Sequence, residues 1–339
     1  MLLVVNAGSS SLKLAVFDAS LTQVAQARAE RIGTGGAATH LDALQQGLAE
    51  MAITPAQLSG AAHRVVHGGR DLTHMLRVTP AVLDGIRACI PLAPLHNPAN
   101  LTGIEALARL APDLPQFASF DTGFHATNPD VATSYAIPAS ASDLGLRRYG
   151  FHGISYASLV RNLRAAGNMP KRVLGLHLGN GASLCAILNG ASVATTMGYS
   201  PVSGLTMGTR SGDIDANAVL KLAKVHGVDG AGQILNRASG LLGLGGVADM
   251  RALHADPSLE ARFAIDHFVY WAIRHAGSMI AAMGGVNLLA FTGGIGENDT
   301  LVRDRITQGL AWAGGPRAVV VPAEEEKQIA LDALALKVG

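Results

Sequence analysis

Charge is scarce in this sequence. Asp, Glu, Lys and Arg make up 15% of its 339 residues, against about a quarter in an ordinary soluble chain. The formal net charge is +1, which points to neither a nucleic acid nor an acidic surface as partner. Only two cysteines occur, Cys89 in a predicted helix and Cys185 in a predicted buried strand. Both read as reduced packing residues, the usage of a cytoplasmic protein. No basic stretch with a cleavage site opens the chain, so no secretory leader is expected. Ala276–Gly296 is uncharged and near the length of a membrane span. Several glycines and Asn287 break it, and it reads as a helix end followed by the strand NLLAFT, so no membrane partner is expected. The string G-x-x-x-x-G-K-[ST] is absent, which excludes a P-loop. HExxH is absent too, and His63 and His67, four apart in a β-branched run, read as strand residues rather than a zinc pair.

Glycine and apolar residues are plentiful, at 40 glycines and 49% hydrophobic residues. A chain of this length and composition can build two domains with real cores. The stretch from Val173 to Asp215 organises the rest. It contains no Asp, Glu, Lys or Arg until Arg210, which Asp213 and Asp215 follow closely. VLGLHL reads as a strand, Gly179-Asn180-Gly181 as a turn and SLCAIL as a second strand. Such a hairpin turns backbone N–H groups outward, a geometry suited to phosphate oxygens. The N-terminus repeats the pattern in MLLVVNAGSSSLKLAVFD. A duplicated domain follows, each half contributing one phosphate-cradling hairpin to a shared cleft.

In chain order, strands are predicted at about 2–6, 12–18 and 23–31, then a helix over 39–51 capped by Thr39. AAHRVVHGG (61–69) is a strand in which Arg64 needs an anionic partner. A helix over 79–93 meets the proline-rich PLAPLHNPAN around His96, and helix resumes over 100–110. FASFDTGFHA (117–126) is a strand delivering Asp121, a carboxylate at a strand's C-terminal end. RRYGFHGISY puts His152 in a glycine-flanked turn, where access rather than packing is its purpose. Helix is predicted over 213–239, a glycine-rich loop over 241–251, and a long helix over 257–283 whose buried face includes Phe263, Phe268, Trp271 and Ile280. The G-x-G-x-x-A string in that loop does not follow a strand, which counts against a Rossmann site. NLLAFTGGIGEN is a buried strand running through glycines into a helix start, good for a nucleotide phosphate or ribose. A strand over 318–322, the acidic triplet Glu324–Glu326 and a terminal helix close the chain. The fold class is α/β.

Eight blocks now carry a resemblance: NAGSSSLK (6–13), HRVVHGG (63–69), PLAPLHNP (91–98), FDTGFH (120–125), YGFHGIS (149–155), HLGNGAS (177–183), MGTRSGDID (207–215) and FTGGIGEN (291–298). In this order they resemble the signature blocks of the acetate kinase family. The resemblance implies two duplicated actin-like (ASKHA) domains with an ATP cleft between them, residues 1–125 joined by the terminal helix 326–339 and residues 126–325 binding the nucleotide. It implies reversible phosphoryl transfer between ATP and acetate, giving ADP and acetyl phosphate, with Mg²⁺ or Mn²⁺, in a cytoplasmic homodimer. By the same resemblance Asp121, His152 and Arg210 are catalytic, the last two stabilising the transition state, and Arg64 holds the acetate carboxylate. Val66, Leu95, Phe151 and Pro201 surround its methyl group, with His96 on the substrate side. Lys13, His177, Leu178, Gly179, Asn180, Gly181, Asp249, Met250, Arg251, Gly294, Ile295, Gly296, Glu297 and Asn298 fall on the nucleotide side. Asn6 and Glu325 are placed at the metal. A carboxylate nucleophile has no proton to remove, so Asp121 is expected to position an arginine or the metal rather than act as a base.

The chain departs from the family in places. It is shorter between Ile32 and Ala61 and between Ala313 and Val319, has Ala216 where the family has proline, and reads PAEEE (322–326) where the family has a PTNEE-type block. In a strand leaving Val321, side chains would alternate, and Glu325 is the member of the triplet expected in the cleft. A relative that binds nucleotide without catalysis is the alternative in a different class; intact Asn6, Arg64, Asp121, His152 and Arg210 speak against it. Propionate or another short carboxylate is the alternative acceptor. An added methylene that does not fit costs about 1–3 kcal/mol. Val66→Ala should therefore raise kcat/KM for propionate relative to acetate, and an unchanged ratio would remove Val66 from the pocket.

Overall fold

Leu2–Ala7 (β1) and Ser11–Phe17 (β2) pair antiparallel across a Gly-Ser turn, where the Gly8 N–H donates to the Ser11 carbonyl at 2.8 Å. Leu2, Leu3, Val4 and Val5 are all buried. The strand reads as a continuous apolar run because both faces are covered. Gln23–Glu30 (β3) completes the meander and is largely exposed, with Arg28 and Glu30 on the sheet edge, a composition that discourages edge pairing. Gly60–Val65 (β4) then joins β1 in parallel, Gln116–Phe120 (β6) joins β4 in parallel, and Leu76–Arg77 (β5) closes the edge. The order is β3-β2-β1-β4-β6-β5. Helices α1 (His40–Glu50), α2 (Pro80–Ala88) and α3 (Asn97–Leu110) accompany this sheet.

The computed structural model describes residues 1–142 and 144–338. The chain divides into two units, Met1–Ala126 with the segment from Glu324 onward, and Thr127–Ala323. The second unit opens with two short helices, α4 (Asp130–Thr133) and α5 (Ala139–Ser142), and the longer α6 (Gly153–Ala165). Its sheet runs β11-β10-β7-β8-β9, from Arg172–Leu178 (β7), Ala182–Leu188 (β8), Ala191–Thr195 (β9), Leu288–Thr292 (β10) and Arg317–Val320 (β11). β7, β8 and β9 form an antiparallel meander; β10 joins β7, and β11 joins β10, both in parallel. This is the connectivity of β1, β2, β3, β4 and β6 over again, a duplication visible in topology. The remaining helices of this unit are α7 (Ala216–Arg237), α8 (Gly240–Gly245), α9 (Met250–Ala255), α10 (Leu259–Met283), α11 (Gly293–Asn298) and α12 (Thr300–Gly309); α13 (Glu325–Val338) returns to the first unit.

Several sequence expectations need correction. The helix expected over 79–93 ends at Ala88, and Ile90–Leu92 turns as a 3-10 segment because Pro91 cannot continue an α-helix. α7 is broken at Gly227, whose φ is +72° and ψ 169°. The expected glycine-rich loop over 241–251 holds two short helices instead. A Cβ on Gly245 would lie 2.6 Å from Leu253 Cδ2 and 3.0 Å from Ala264 Cβ, so that glycine serves the close packing of helices rather than a loop. On α10, Phe268 and Ile280 are buried, but Phe263 is 57% exposed and Trp271 only half-buried. Phe263 lies off the stripe of Ala261, Ala264, Ile265 and Phe268 that faces the core. Where the chain is expected to be short, α1 and a 3-10 turn at Pro55–Gln57 lie between β3 and β4 in the first place, and Gly314 and Gly315, both at positive φ, turn the chain before β11 in the second. Among the described residues no helix is long and apolar enough to cross a membrane. Burial pushes the thiols of Cys89 and Cys185 up, to about 11 and about 12, and neither is in a disulfide.

Candidate functional site

In the first unit three neighbouring parallel strands end together, the place where open α/β sheets present functional groups. Asn6 lies near the end of β1, Arg64 near the end of β4, and Asp121 follows β6 directly. They converge on the guanidinium. Arg64 Nη2 is paired with Asp121, which is 2% exposed, and Nη1 donates to Asn6 Oδ1 at 3.3 Å. Arg64 Nε is buried and meets no hydrogen-bond acceptor among the described residues. Burial opposes the Arg64 charge, but Asp121 and then Glu325 outweigh it, and its pKa is raised. Burial, with Glu326 beside it, raises the Glu325 pKa against the pull of Arg64 and Lys13. Lys13, paired in register with Asn6 across the hairpin, bonds Glu326 at 2.5 Å. Glu325 is not in a strand leaving Val321: β11 stops at Val320, Glu324 adopts φ +40°, and Glu325 begins α13. Successive acids there turn by about 100° instead of alternating faces.

Two residues missed from sequence fix the strand end that carries Arg64. Asn100 Oδ1 accepts from the Val66 N–H at 3.0 Å while its Nδ2 donates to the Ala7 carbonyl at 2.8 Å. Asn97 bonds the N–H and carbonyl of His67 in the same way. Their signal was a polar residue on the inward face of α3, which only a three-dimensional neighbour could interpret. Val66 is buried, Leu95 is 47% exposed, and His96 is the N-cap residue of α3. His63 and His67 are buried, and burial lowers both to about 4. His63 donates to Gln116 Oε1 at 2.7 Å, and no group of three or more His, Cys, Asp or Glu is placed to hold a metal among the described residues.

In the second unit, His152 takes the left-handed conformation at the start of α6, with φ +58°. Its ring stacks on that of His177 at 4.0 Å between centroids. A Cβ on Gly181 would lie 3.1 Å from His152 Nε2 and 3.2 Å from Arg210 Nη2, so the glycine, the imidazole and the guanidinium frame one small space. Arg210 Nη1 donates to the Pro201 carbonyl at 2.6 Å. Asp213 accepts instead from the Gly204 N–H, and Asp215 caps α7. Phe151 is buried and Pro201 half-buried.

A cavity of 940 Å³ opens beside these groups, lined by Gly179, Asn180, Asp249, Met250, Arg251, Gly294, Ile295 and Asn298 from the expected nucleotide set. Its size is that of a ligand pocket. Of the other expected members, Lys13 belongs to the first unit, while Leu178, Gly296 and Glu297 stand behind the cavity within the second. Leu178 is buried in β7, and a Cβ on Gly296 would rest 3.5 Å from the Leu176 carbonyl. Glu297 accepts from the N–H groups of Gly293 and Ala323 at 3.0 and 3.1 Å, so its carboxylate braces the glycine turn. Asp249 and Arg251 bond each other, and that hydrogen bonding draws the Asp249 carboxyl down to about 2. Sequence reasoning missed His254 and Asp299, which also line the cavity and bond at 2.8 Å. Asp299 Oδ1 caps α12 through the Val302 N–H, and the pair ties α9 to the start of α12.

The chain matches the family model described as "Acetokinase family" over residues 1–317. It is 39% identical to an acetate kinase of Methylocella silvestris over 389 aligned positions, covering 98% of this chain and 96% of that one. A crystal structure of Porphyromonas gingivalis acetate kinase superposes with a TM-score of 0.91 at 32% identity, covering 99% of both chains. A propionate kinase from Francisella tularensis gives 0.92, also at 32%, covering 98% of both.

The His254–Asp299 bond should hold the walls of the cavity at a fixed spacing. Losing one such hydrogen bond is expected to weaken ADP binding to His254→Ala about 3- to 10-fold by calorimetry. Unchanged affinity would count against this cavity as a nucleotide site.

Proposed function

We propose, from the premise that this chain belongs to the acetokinase family, that it transfers the γ-phosphoryl group of ATP to acetate, reversibly, giving ADP and acetyl phosphate. The observation that carries the reading is the Arg64 guanidinium. It is anchored on both sides by Asn6 and Asp121 and keeps a buried Nε–H with no acceptor among the described residues, as a binder of a small carboxylate requires. Asp121 holds the arginine in place. The acceptor oxygen is already anionic and needs no base.

Phosphoryl transfer is driven by positioning and by neutralising charge on the moving group. We assign the purine nucleoside to the cavity lined by Ile295 and Met250, and the phosphates to the glycine turns at 179–181 and 293–296. Arg210 and His152, framing Gly181, donate to the equatorial oxygens as charge redistributes there. Around Arg64, three carboxylates (Asp121, Glu325 and Glu326) face two cations (Arg64 and Lys13), an excess of one negative charge that suits a metal ion. The Asn6 amide oxygen and the Glu325 carboxylate are hard oxygen donors that fit Mg²⁺ or Mn²⁺, and few protein ligands are needed when nucleotide phosphates complete the shell. When bound, the ion neutralises phosphate charge. We further assign the enzyme to the cytoplasm, as a homodimer, acting on small molecules without a nucleic-acid or membrane partner. Propionate is the second candidate acceptor, in keeping with the equal similarity to the Francisella enzyme.

Hydroxylamine trapping with acetate, propionate and butyrate in parallel tests the reading. Acetate should give the most acyl phosphate, and none from any acceptor would overturn it. Arg210→Lys keeps the charge but loses the planar fork. Its kcat should fall by a factor on the order of 10²–10³, with ATP affinity little changed. A folded variant with near-normal kcat would remove Arg210 from the transition state.

A further inference from the structure

His152 and His177 each turn Nε2 toward a glycine turn: a Cβ on Gly293 would lie 3.2 Å from His177 Nε2, the counterpart of the His152 approach to Gly181. Their other ring nitrogens end on buried hydroxyls. His177 Nδ1 is 2.9 Å from Ser155 Oγ, and His152 Nδ1 is 2.9 Å from Ser183 Oγ. Behind Ser183 stands Tyr156, which is fully buried. Its Oη lies 2.8 Å from the Ser183 carbonyl oxygen and 2.7 Å from Ser183 Oγ. The ring has a built seat, since a Cβ on Gly175 would come within 2.9 Å of Tyr156 Cε1.

Counting protons gives this chain a direction. A carbonyl oxygen only accepts, so the 2.8 Å contact is the Tyr156 hydroxyl donating to Ser183 O. Burial raises the Tyr156 phenol well above its ordinary value, and it keeps that proton. The proton is then spent, so the 2.7 Å contact is Ser183 Oγ–H donating to Tyr156 Oη, which also accepts from the His177 main chain. Ser183 Oγ has no second proton to give, and the bond to His152 must be donated by Nδ1–H. Which ring nitrogen carries a proton is set by the partner of the other.

We propose that Ser183 and Tyr156 are positioning residues that hold a proton on His152 Nδ1, so that His152 donates from Nε2 as an imidazolium to the transferring phosphoryl group. The proposal rests on the role assigned to His152 above. Among the described residues, the groups facing this ring include the stacked His177 imidazole, the Arg210 guanidinium across Gly181, and the Tyr156 phenol behind Ser183. An anionic phosphoryl oxygen among them meets two donors fixed before it arrives, which is the preorganisation such chemistry uses. A neutral ring with Nδ1–H would instead offer that oxygen a lone pair.

Tyr156→Phe removes the end of the chain and frees the Ser183 hydroxyl to turn its proton toward Nδ1. The charged form of His152 loses a hydrogen bond, which lowers its pKa. The alkaline limb of the kcat–pH profile should therefore move to lower pH, and kcat should fall about 10-fold, the scale for losing a group that orients a functional histidine. KM for ATP and for acetate should stay within about twofold. Ser183→Ala should move the profile in the same direction. ¹⁵N NMR should find both ring nitrogens of wild-type His152 protonated where kcat is maximal. A bare Nδ1 there, or folded Tyr156→Phe and Ser183→Ala enzymes with unchanged kcat profiles, would overturn the proposal. Failure of the wild type to phosphorylate any carboxylate would instead remove the kinase reading, and the NMR assignment would still decide the hydrogen-bond chain.

Discussion

A guanidinium held at the end of a buried parallel strand constrains the whole first unit. Arg64 cannot sit there unpaired, because stranding a buried charge costs about 3–5 kcal/mol. Asp121 from the adjacent strand supplies the counter-charge and Asn6 from the other side supplies an oxygen. Registers β1–β4 and β4–β6 bring these groups level, and Asn97 and Asn100 on α3 fasten the backbone just beyond. α3 itself is drawn close by Gly103, where a Cβ would lie 2.8 Å from the Ala7 Cβ. Among the described residues Nε has no acceptor, and it is the donor that the proposed function gives to the acceptor's carboxylate.

The second unit reuses the strand-end device with different chemistry. His177 on β7 pairs in register with Thr292 on β10, as Val5 on β1 does with His63 on β4. Where the first unit ends its strands in charge, the second ends them in glycine turns and stacked imidazoles. Glu297 illustrates the economy of that arrangement: its carboxylate holds both the turn at Gly293 and the chain at Ala323, beside the glycine turn proposed to take the phosphates.

Local features were legible in the sequence. The hairpins at Gly8 and at 179–181 follow from small turn residues between apolar runs, and α1 follows from Thr39 and its leucine spacing, with Thr39 and Asp42 forming the capping box. Arg64, Asp121, His152 and Arg210 stood out because each interrupts an apolar or glycine-rich run. What stayed hidden is non-local. His254 meets Asp299 across 45 residues and Tyr156 meets Ser183 across 27, and no periodicity encodes either. α8 was masked by glycines whose low helix propensity is overridden by packing, with Gly245 set against Leu253 of α9 and Ala264 of α10. The backbone at Glu325 differs from the expected strand because β11 ends at Val320 and the positive φ at Glu324 leads straight into α13.

The central claim is that Arg64, fixed by Asp121, receives the acceptor's carboxylate. Steady-state kinetics of Arg64→Lys with acetate and ATP varied separately tests it most directly. Lysine keeps the charge but not the fork that reaches Asn6, Asp121 and a third oxygen at once. The account predicts a KM for acetate raised on the order of 10- to 100-fold, the cost of a charge-assisted hydrogen bond, with KM for ATP within about twofold. A folded Arg64→Lys enzyme whose acetate KM is unchanged, or whose ATP KM rises instead, would contradict it.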